Sequence, residues 1–358
     1  VERRKNMKKW ALIYNPYFDT LGGGERYTLE IARVLSKSHR VVIAWNDKKL
    51  LEKCKARFGL KFENIVVESE PFKVIKGGSL LKKRQMMSDY DLAFFVSDGS
   101  LPFMFANKNY LHFQVPFHEH KFSLPDIFKF TQYRRIIVNS RFTEAVVRRV
   151  YKTINTRILY PPVTQMKPGD KTNMILNVGR FGSPTHPKKQ ELLIKAFLKL
   201  PEKIRKEWNL VLAGGYKNEE KYLEKLSKLS GRENILVITN PDFRQLKALY
   251  SQAKFYWHAA GAGESDNYPE KMEHFGITTV EAMSAGCVPV VINKGGQPEI
   301  VTELEGRLWN TQQELVDATL DLIKNESLTT ELAKNAIEKA KVFSDGEFEN
   351  TLNSILND

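Results

Sequence analysis

Short apolar runs rich in β-branched and aromatic residues alternate with longer stretches of helical periodicity, and the alternation occurs twice, on either side of a proline-rich break. This pattern demands parallel sheets, because a strand can run beside its predecessor in the same direction only after a crossover long enough to hold a helix. In the first series, strands are expected at 10–14, 41–45, 92–96, 110–113 and 136–138. A helix over 24–35 places Tyr27, Ile31, Val34 and Leu35 on one face. In the second series, strands are expected at 174–178, 210–213, 235–238, 255–257 and 288–292, with a helix over 190–200. Between them stand Tyr160-Pro161-Pro162-Val163 and Lys167-Pro168-Gly169-Asp170, where proline denies a helix and glycine permits a turn. The expected organisation is α/β: a doubly wound domain over 1–168, a second over 169–335, and a helical segment over 336–358 that braces the two. Ligand is expected where the carboxyl ends of the sheets face a central cleft.

Charge divides the chain at the same place. Residues 1–168 carry 31 Lys and Arg against 15 Asp and Glu, a net +16, whereas residues 169–358 carry 24 against 27, a net −3. So uneven a distribution points the first half toward an anionic partner, with a solubilising surface as the alternative. The basic residues are dispersed or in short clusters such as Lys82-Lys83-Arg84, without a helix-turn-helix, zinc-finger or RNP-type pattern. An anionic membrane surface or a lipid-linked phosphate is therefore expected rather than nucleic acid. No apolar stretch approaches the roughly 18 residues of a spanning helix. Cys54 and Cys287 have no C-x-x-C spacing and cannot alone make a zinc site, which fits a reducing compartment. The expected location is cytoplasmic, peripheral on the inner face of the membrane.

Three clusters carry chemistry. Gly22-Gly23-Gly24 follows the first strand and opens its helix, so backbone N–H groups can approach a phosphate without Cβ interference; a loop with a capped helix is the structural alternative. It is neither G-x-G-x-x-G nor the Walker pattern. Glu273 and Glu281 bracket His274-Phe275-Gly276-Ile277-Thr278-Thr279-Val280, with a helix expected to start near Gly276. A carboxylate accepts two hydroxyls of a diol, so Glu281 suits a ribose and Glu273 a hexose, while the first-turn amides between them suit a diphosphate. At the end of the first strand of the second half, Gly179-Arg180 precedes Lys188-Lys189; an arginine fork and a lysine point charge can neutralise a diphosphate leaving group without a metal.

Together these residues resemble the retaining GT-B glycosyltransferases of glycosyltransferase family 4. Its E-x7-E element is matched by Glu273 and Glu281, its Arg and Lys pair by Arg180 and Lys188, and its glycine-rich first loop by Gly22 to Gly24. Val138-Asn139-Ser140, Tyr160-Pro161-Pro162, Ala213-Gly214-Gly215 and Gly295-Gly296-Gln297-Pro298-Glu299 extend the likeness over nearly the whole chain. Asn15-Pro16-Tyr17 leading into Gly22-Gly23-Gly24-Glu25-Arg26 is similar to mannosyltransferases of lipid-linked oligosaccharide assembly, which use GDP-mannose.

The resemblance implies a hexosyltransferase that moves a hexose from a nucleotide-diphosphate sugar to a lipid-linked or glycan acceptor with an alpha linkage, using no cofactor and no metal. It implies that Arg180, Lys188, Glu273 and His112 are catalytic. The donor would be bound by Gly22, Gly23, Gly24, Gly179, Phe275, Gly276, Ile277, Thr278 and Glu281. The departing phosphate would help deprotonate the acceptor, leaving no separate base to nominate. His112 has a core or capping role as its alternative. Lys189 can stand for Lys188 in the alignment, and the acidic insert from Gly261 to Glu270 has no assigned role. Asp89-Tyr90-Asp91 precedes a strand and is rejected as a metal site. The rival functions are a non-catalytic sugar- or polyanion-binding protein of the same fold and another GT-B activity such as a nucleotide-sugar epimerase.

Overall fold

The computed structural model describes residues 9–19, 22–182, 187–216, 219–231 and 233–358, the side chain of Arg57 excepted. The chain forms two compact units, one running to Tyr160 and including Glu349–Asp358, the other Pro161–Phe348.

The first unit is built on seven parallel strands: β1 (Lys9–Tyr14), β2 (His39–Ala44), β3 (Ile65–Glu68), β4 (Leu92–Val96), β5 (Lys108–Phe113), β6 (Arg135–Val138) and β7 (Thr156–Ile158). Their order is β3-β2-β1-β4-β5-β6-β7. Ile13 of β1 lies between Ile43 and Phe94 of its neighbours. All five residues of β4 are buried, because helices cover both faces of a parallel sheet; its sequence is therefore continuously apolar rather than alternating.

The second unit has six parallel strands: β8 (Thr172–Val178), β9 (Asn209–Gly214), β10 (Ile235–Thr239), β11 (Ala253–His258), β12 (Val288–Ile292) and β13 (Arg307–Trp309). Their order, β10-β9-β8-β11-β12-β13, is that of a Rossmann sheet and reverses between β8 and β11. The core packs Leu193, Phe197, Trp208 and Leu226 with Phe255, Trp257 and Trp309.

Three strands, β3, β7 and β13, go beyond the sequence expectation. Each is an edge of its sheet and three or four residues long, too short to register as a periodic run. The division of the chain falls at 160/161 rather than 168/169. Val163 N–H donates to the Phe343 carbonyl (2.8 Å), Met166 N–H to Ser284 Oγ (2.8 Å) and Gly169 N–H to the Ser251 carbonyl (3.2 Å), which ties the chain from Val163 to Gly169 into the second unit. The expected boundary at 335/336 cuts the continuous helix Glu326–Ala340, which packs against the helix Ile277–Ser284. The final helix, Asp345–Asn357, passes from residues of the second unit to residues of the first. In the first unit, Asp358 accepts from Arg157 Nε at 3.1 Å. Cys54 and Cys287 are buried and unpaired. Among the described residues no helix is long and apolar enough to cross a membrane.

Candidate active site

In a sheet whose strand order reverses, the loops leaving the two strands at the reversal diverge to opposite faces and open a crevice beyond their carboxyl ends. In the second unit those strands are β8, which ends in Val178, and β11, which ends in His258. Gly179 follows β8, its N–H donating to the Ala213 carbonyl (2.9 Å). A Cβ on Gly179 would lie 2.9 Å from Lys188 Cγ, so glycine here is what lets the lysine stem cross the end of the strand. Gln190 Nε2 donates to the Arg180 carbonyl (3.2 Å) and its Oε1 accepts from the Tyr222 hydroxyl (2.9 Å), which anchors the Arg180 backbone. The Arg180 side chain is exposed.

Lys188 Nζ donates to Glu273 Oε2 at 2.6 Å, and His258 Nε2 lies 3.0 Å from the same oxygen. A carboxylate only accepts, so His258 carries its proton on Nε2. Burial pushes this imidazole below its ordinary range even with the carboxylate beside it, and the ring is neutral at physiological pH. Lys189 turns the other way, under a positive φ of 57°, and donates to Glu264 Oε1 at 2.6 Å. The two adjacent lysines are thereby distinguished: Lys188 serves Glu273, and Lys189 pins the acidic insert. Lys294 Nζ holds the same insert through the Glu264 carbonyl (2.7 Å).

The helix Ile277–Ser284 begins at Gly276, whose φ is +123°; a Cβ there would stand 2.6 Å from Gln297 Nε2. Only glycine meets both conditions. First-turn amides of a helix have no intrahelical acceptor, and this helix start has no side-chain cap, which leaves a site suited to anionic oxygens. Tyr256 donates its hydroxyl to Thr278 Oγ1 (2.7 Å) and Tyr250 to Glu281 Oε2 (2.9 Å). Burial raises both phenols, so they remain protonated donors. The Glu273 carbonyl accepts the Gly296 N–H at 2.7 Å, joining the loop carrying Phe275 to the Gly295-Gly296 turn.

Of the expected residues, Gly179, Arg180, Lys188, Glu273, Phe275, Gly276, Ile277, Thr278 and Glu281 all belong to the second unit. Sequence reading missed His258, Tyr250, Tyr256 and Gln190. None lies in a recognisable spacing; the one available signal was a polar residue ending an apolar strand, as His258 ends β11.

In the first unit, Gly22 precedes the helix Gly23–Leu35 and its N–H donates to the buried Glu25 carboxylate. Gln114 Nε2 donates to the Gly24 carbonyl (3.0 Å), and a Cβ on Gly24 would stand 2.5 Å from Gln114 Oε1. Asn15 Nδ2 donates to Thr28 Oγ1 (2.9 Å), so the glycine segment is knitted to the carboxyl ends of β1 and β5. Gly22 to Gly24 form a capped, hydrogen-bonded helix start.

His112, expected to be catalytic with a core or capping role as its alternative, belongs to the first unit. It is the penultimate residue of β5, fully buried, with Nδ1 donating to the Ile137 carbonyl (3.1 Å), its ring between Tyr27 (4.7 Å) and Phe94 (5.5 Å), and its Nε2 buried with no hydrogen-bond partner among the described residues. Burial lowers its pKa to about 3. The ring is neutral at physiological pH. Asp91 enters β4 beside His39 Nε2 (3.4 Å), and among the described residues no three His, Cys, Asp or Glu gather as a metal site.

Residues 164–342 match the family model of glycosyl transferases group 1. The chain belongs to this family, and its two Rossmann-like parallel-sheet units are those of the GT-B fold. It is 29% identical over 240 residues to the GDP-Man:Man(3)GlcNAc(2)-PP-Dol alpha-1,2-mannosyltransferase of Dictyostelium discoideum, covering 60% of this chain and 45% of that protein. With the enzyme of the same name from Xenopus laevis it shares 32% over 242 residues, 60% of this chain and 46% of that one. The chain thus spans under half the length of these curated relatives. The crystal structure of HepE of Anabaena in complex with UDP superposes with a TM-score of 0.72 and 19% identity, over 98% of this chain and 100% of that one.

Proposed function

We propose that the protein is a retaining hexosyltransferase that transfers mannose from GDP-mannose to a lipid-linked glycan, forming an alpha linkage. The observation that carries the reading is the convergence of Lys188 and His258 on Glu273, beside a helix whose glycine start offers free amides and whose Glu281 is held by Tyr250. The names of the Dictyostelium and Xenopus relatives support mannose, GDP and the lipid-linked acceptor.

In this mechanism, Glu281 receives the ribose hydroxyls and the first-turn amides of Ile277 and Thr278 receive the diphosphate. Glu273 receives hydroxyls of the sugar; His258 and Lys188 fix the rotamer of its carboxylate, so donor binding costs little reordering. As the bond between C1 and the phosphate oxygen breaks, negative charge grows on the diphosphate. Arg180 and Lys188 stabilise that charge, and no metal is required for it. The acceptor oxygen bonds to C1 on the face the phosphate leaves, and its proton passes to the departing phosphate oxygen. The basic first unit serves the acceptor and the anionic surface that carries it, at the cytoplasmic face of a membrane.

The test is calorimetric titration with GDP, UDP and ADP in EDTA, beside the Glu281→Ala variant, followed by GDP-mannose turnover on a lipid-linked glycan. The expected result is GDP binding that Glu281→Ala abolishes. Binding of no nucleotide, or turnover strictly dependent on a divalent ion, overturns the reading.

A further inference from the structure

The helix Leu124–Gln132 of the first unit is built inside out. Its inner end is fastened by Asp126, 2% exposed, which accepts from the Ser123 N–H (2.9 Å), the Ser123 hydroxyl (2.8 Å) and Lys129 Nζ (2.9 Å), with His120 Nε2 at 3.1 Å. The side chains that would normally face a core are turned to the outside: Leu124 is 85% exposed, Ile127 63% and Phe128 60%, at spacings of three and four that align them in one stripe. Phe122, just ahead of the helix, adds a further exposed ring at 41%. A stripe of this kind held rigidly by a buried polar cap is a built surface rather than a frayed end.

The rim of the stripe is cationic. Lys152 Nζ lies 5.8 Å from the centre of the Phe122 ring, and Lys121 is exposed. Aromatic and branched side chains with lysine stems laid along them match the boundary of a bilayer, where rings enter the acyl region and ammonium groups reach the phosphates. Residues 1–168 of the sequence carry a net +16, a sign that anionic headgroups attract. A second copy fits less well, since a twofold contact sets each patch on itself and brings its lysines against their equivalents.

We infer that the helix Leu124–Gln132, with Phe122, is the wedge by which the protein docks on a membrane surface bearing anionic phospholipid. The inference deepens the reading of a lipid-linked acceptor given above, and its test uses neither donor nor acceptor, so each can fail without the other.

The full chain is sedimented with vesicles of phosphatidylcholine alone and of phosphatidylcholine with phosphatidylglycerol, beside the double variant Ile127→Gln/Phe128→Gln. Both positions are exposed, so the variant retains the wild-type circular dichroism and thermal midpoint. Wild type binds the anionic vesicles, and the double variant loses about tenfold or more in partition, since two apolar side chains no longer leave water. A Leu124→Trp variant shifts its emission to the blue on binding and is quenched by brominated lipid. Wild type that binds no vesicles, or a double variant that binds as wild type does, overturns the wedge; the latter leaves docking to dispersed charge. A dimer in light scattering that the double variant dissociates, with vesicle binding unaltered, overturns it in favour of a second copy.

Discussion

His258 Nε2 donates to Glu273 Oε2 at 3.0 Å from a ring that is 2% exposed. The imidazole acts through the carboxylate to which it donates, which makes it a positioning residue in the proposed mechanism. Its Nδ1 is buried without a hydrogen-bond partner, a cost tolerated only where the opposite nitrogen is useful. Replacement by phenylalanine keeps the volume and removes the donor. His258→Phe is expected to lower turnover about tenfold or more while leaving nucleotide affinity within about twofold, with His258→Gln recovering part of the loss. Calorimetry beside steady-state kinetics checks the split; equal losses in both would reduce His258 to a structural role.

Tyr250 holds the other glutamate. Tyr250→Phe deletes only the hydroxyl that donates to Glu281 at 2.9 Å, and should weaken GDP binding about fivefold, as expected for one hydrogen bond of about 1 kcal/mol. Glu281→Ala should abolish detectable binding. The two variants are compared by titration; unchanged affinity in Tyr250→Phe would mean that Glu281 is positioned by its helix alone.

Arg180 is exposed just past the end of β8, and in the proposed mechanism it meets the charge that develops on the leaving diphosphate. Arg180→Ala should lower turnover by well over about tenfold, and EDTA should leave wild-type turnover unchanged. Single-turnover kinetics with and without chelator decide both points.

His112 supplies a pH test of the fold. Its folded pKa, about 3, lies below the unfolded value near 6.5, so the unfolded chain binds the additional proton whenever the pH falls below about 6.5. The sign follows: stability is constant with respect to this group above that pH and declines as the pH falls toward the folded value, at a limiting rate of about 1.4 kcal/mol per pH unit. The fall in Tm from pH 7 to pH 5 should be smaller in His112→Phe than in wild type. An equal fall in both would show that the buried imidazole is not the group responsible.

Two neighbouring glycines offer a control within one turn of chain. A Cβ on Gly214 would stand 1.9 Å from the Gly179 carbonyl oxygen, whereas one on Gly215 meets nothing nearer than Asn240 Oδ1 at 3.6 Å. Gly214→Ala must displace the backbone at the end of β8 and should destabilise by about 2 kcal/mol or more, while Gly215→Ala stays within about 1 kcal/mol. Urea unfolding of the pair measures the difference.

The sequence by itself determined the central strands, because a strand buried on both faces must be continuously apolar, as 92–96 and 288–292 are. It also determined the placement of Glu273 and Glu281 about a glycine-started helix, since that is a matter of local spacing. Short edge strands such as Thr156–Ile158 were not legible: half their hydrogen bonds and much of their surface face no neighbour, so little apolar pattern is imposed on them. Tertiary structure alone decided what each side chain meets. It buried His112 between Tyr27 and Phe94, chose Lys188 over Lys189 for Glu273, and brought His258 and Tyr250 to the two glutamates. These partners are up to 85 residues apart in the chain, and contacts over such separations leave no periodicity to read. They exist only once the parallel strands of each unit have assembled, as when the carboxyl ends of β8 and β11 are set side by side.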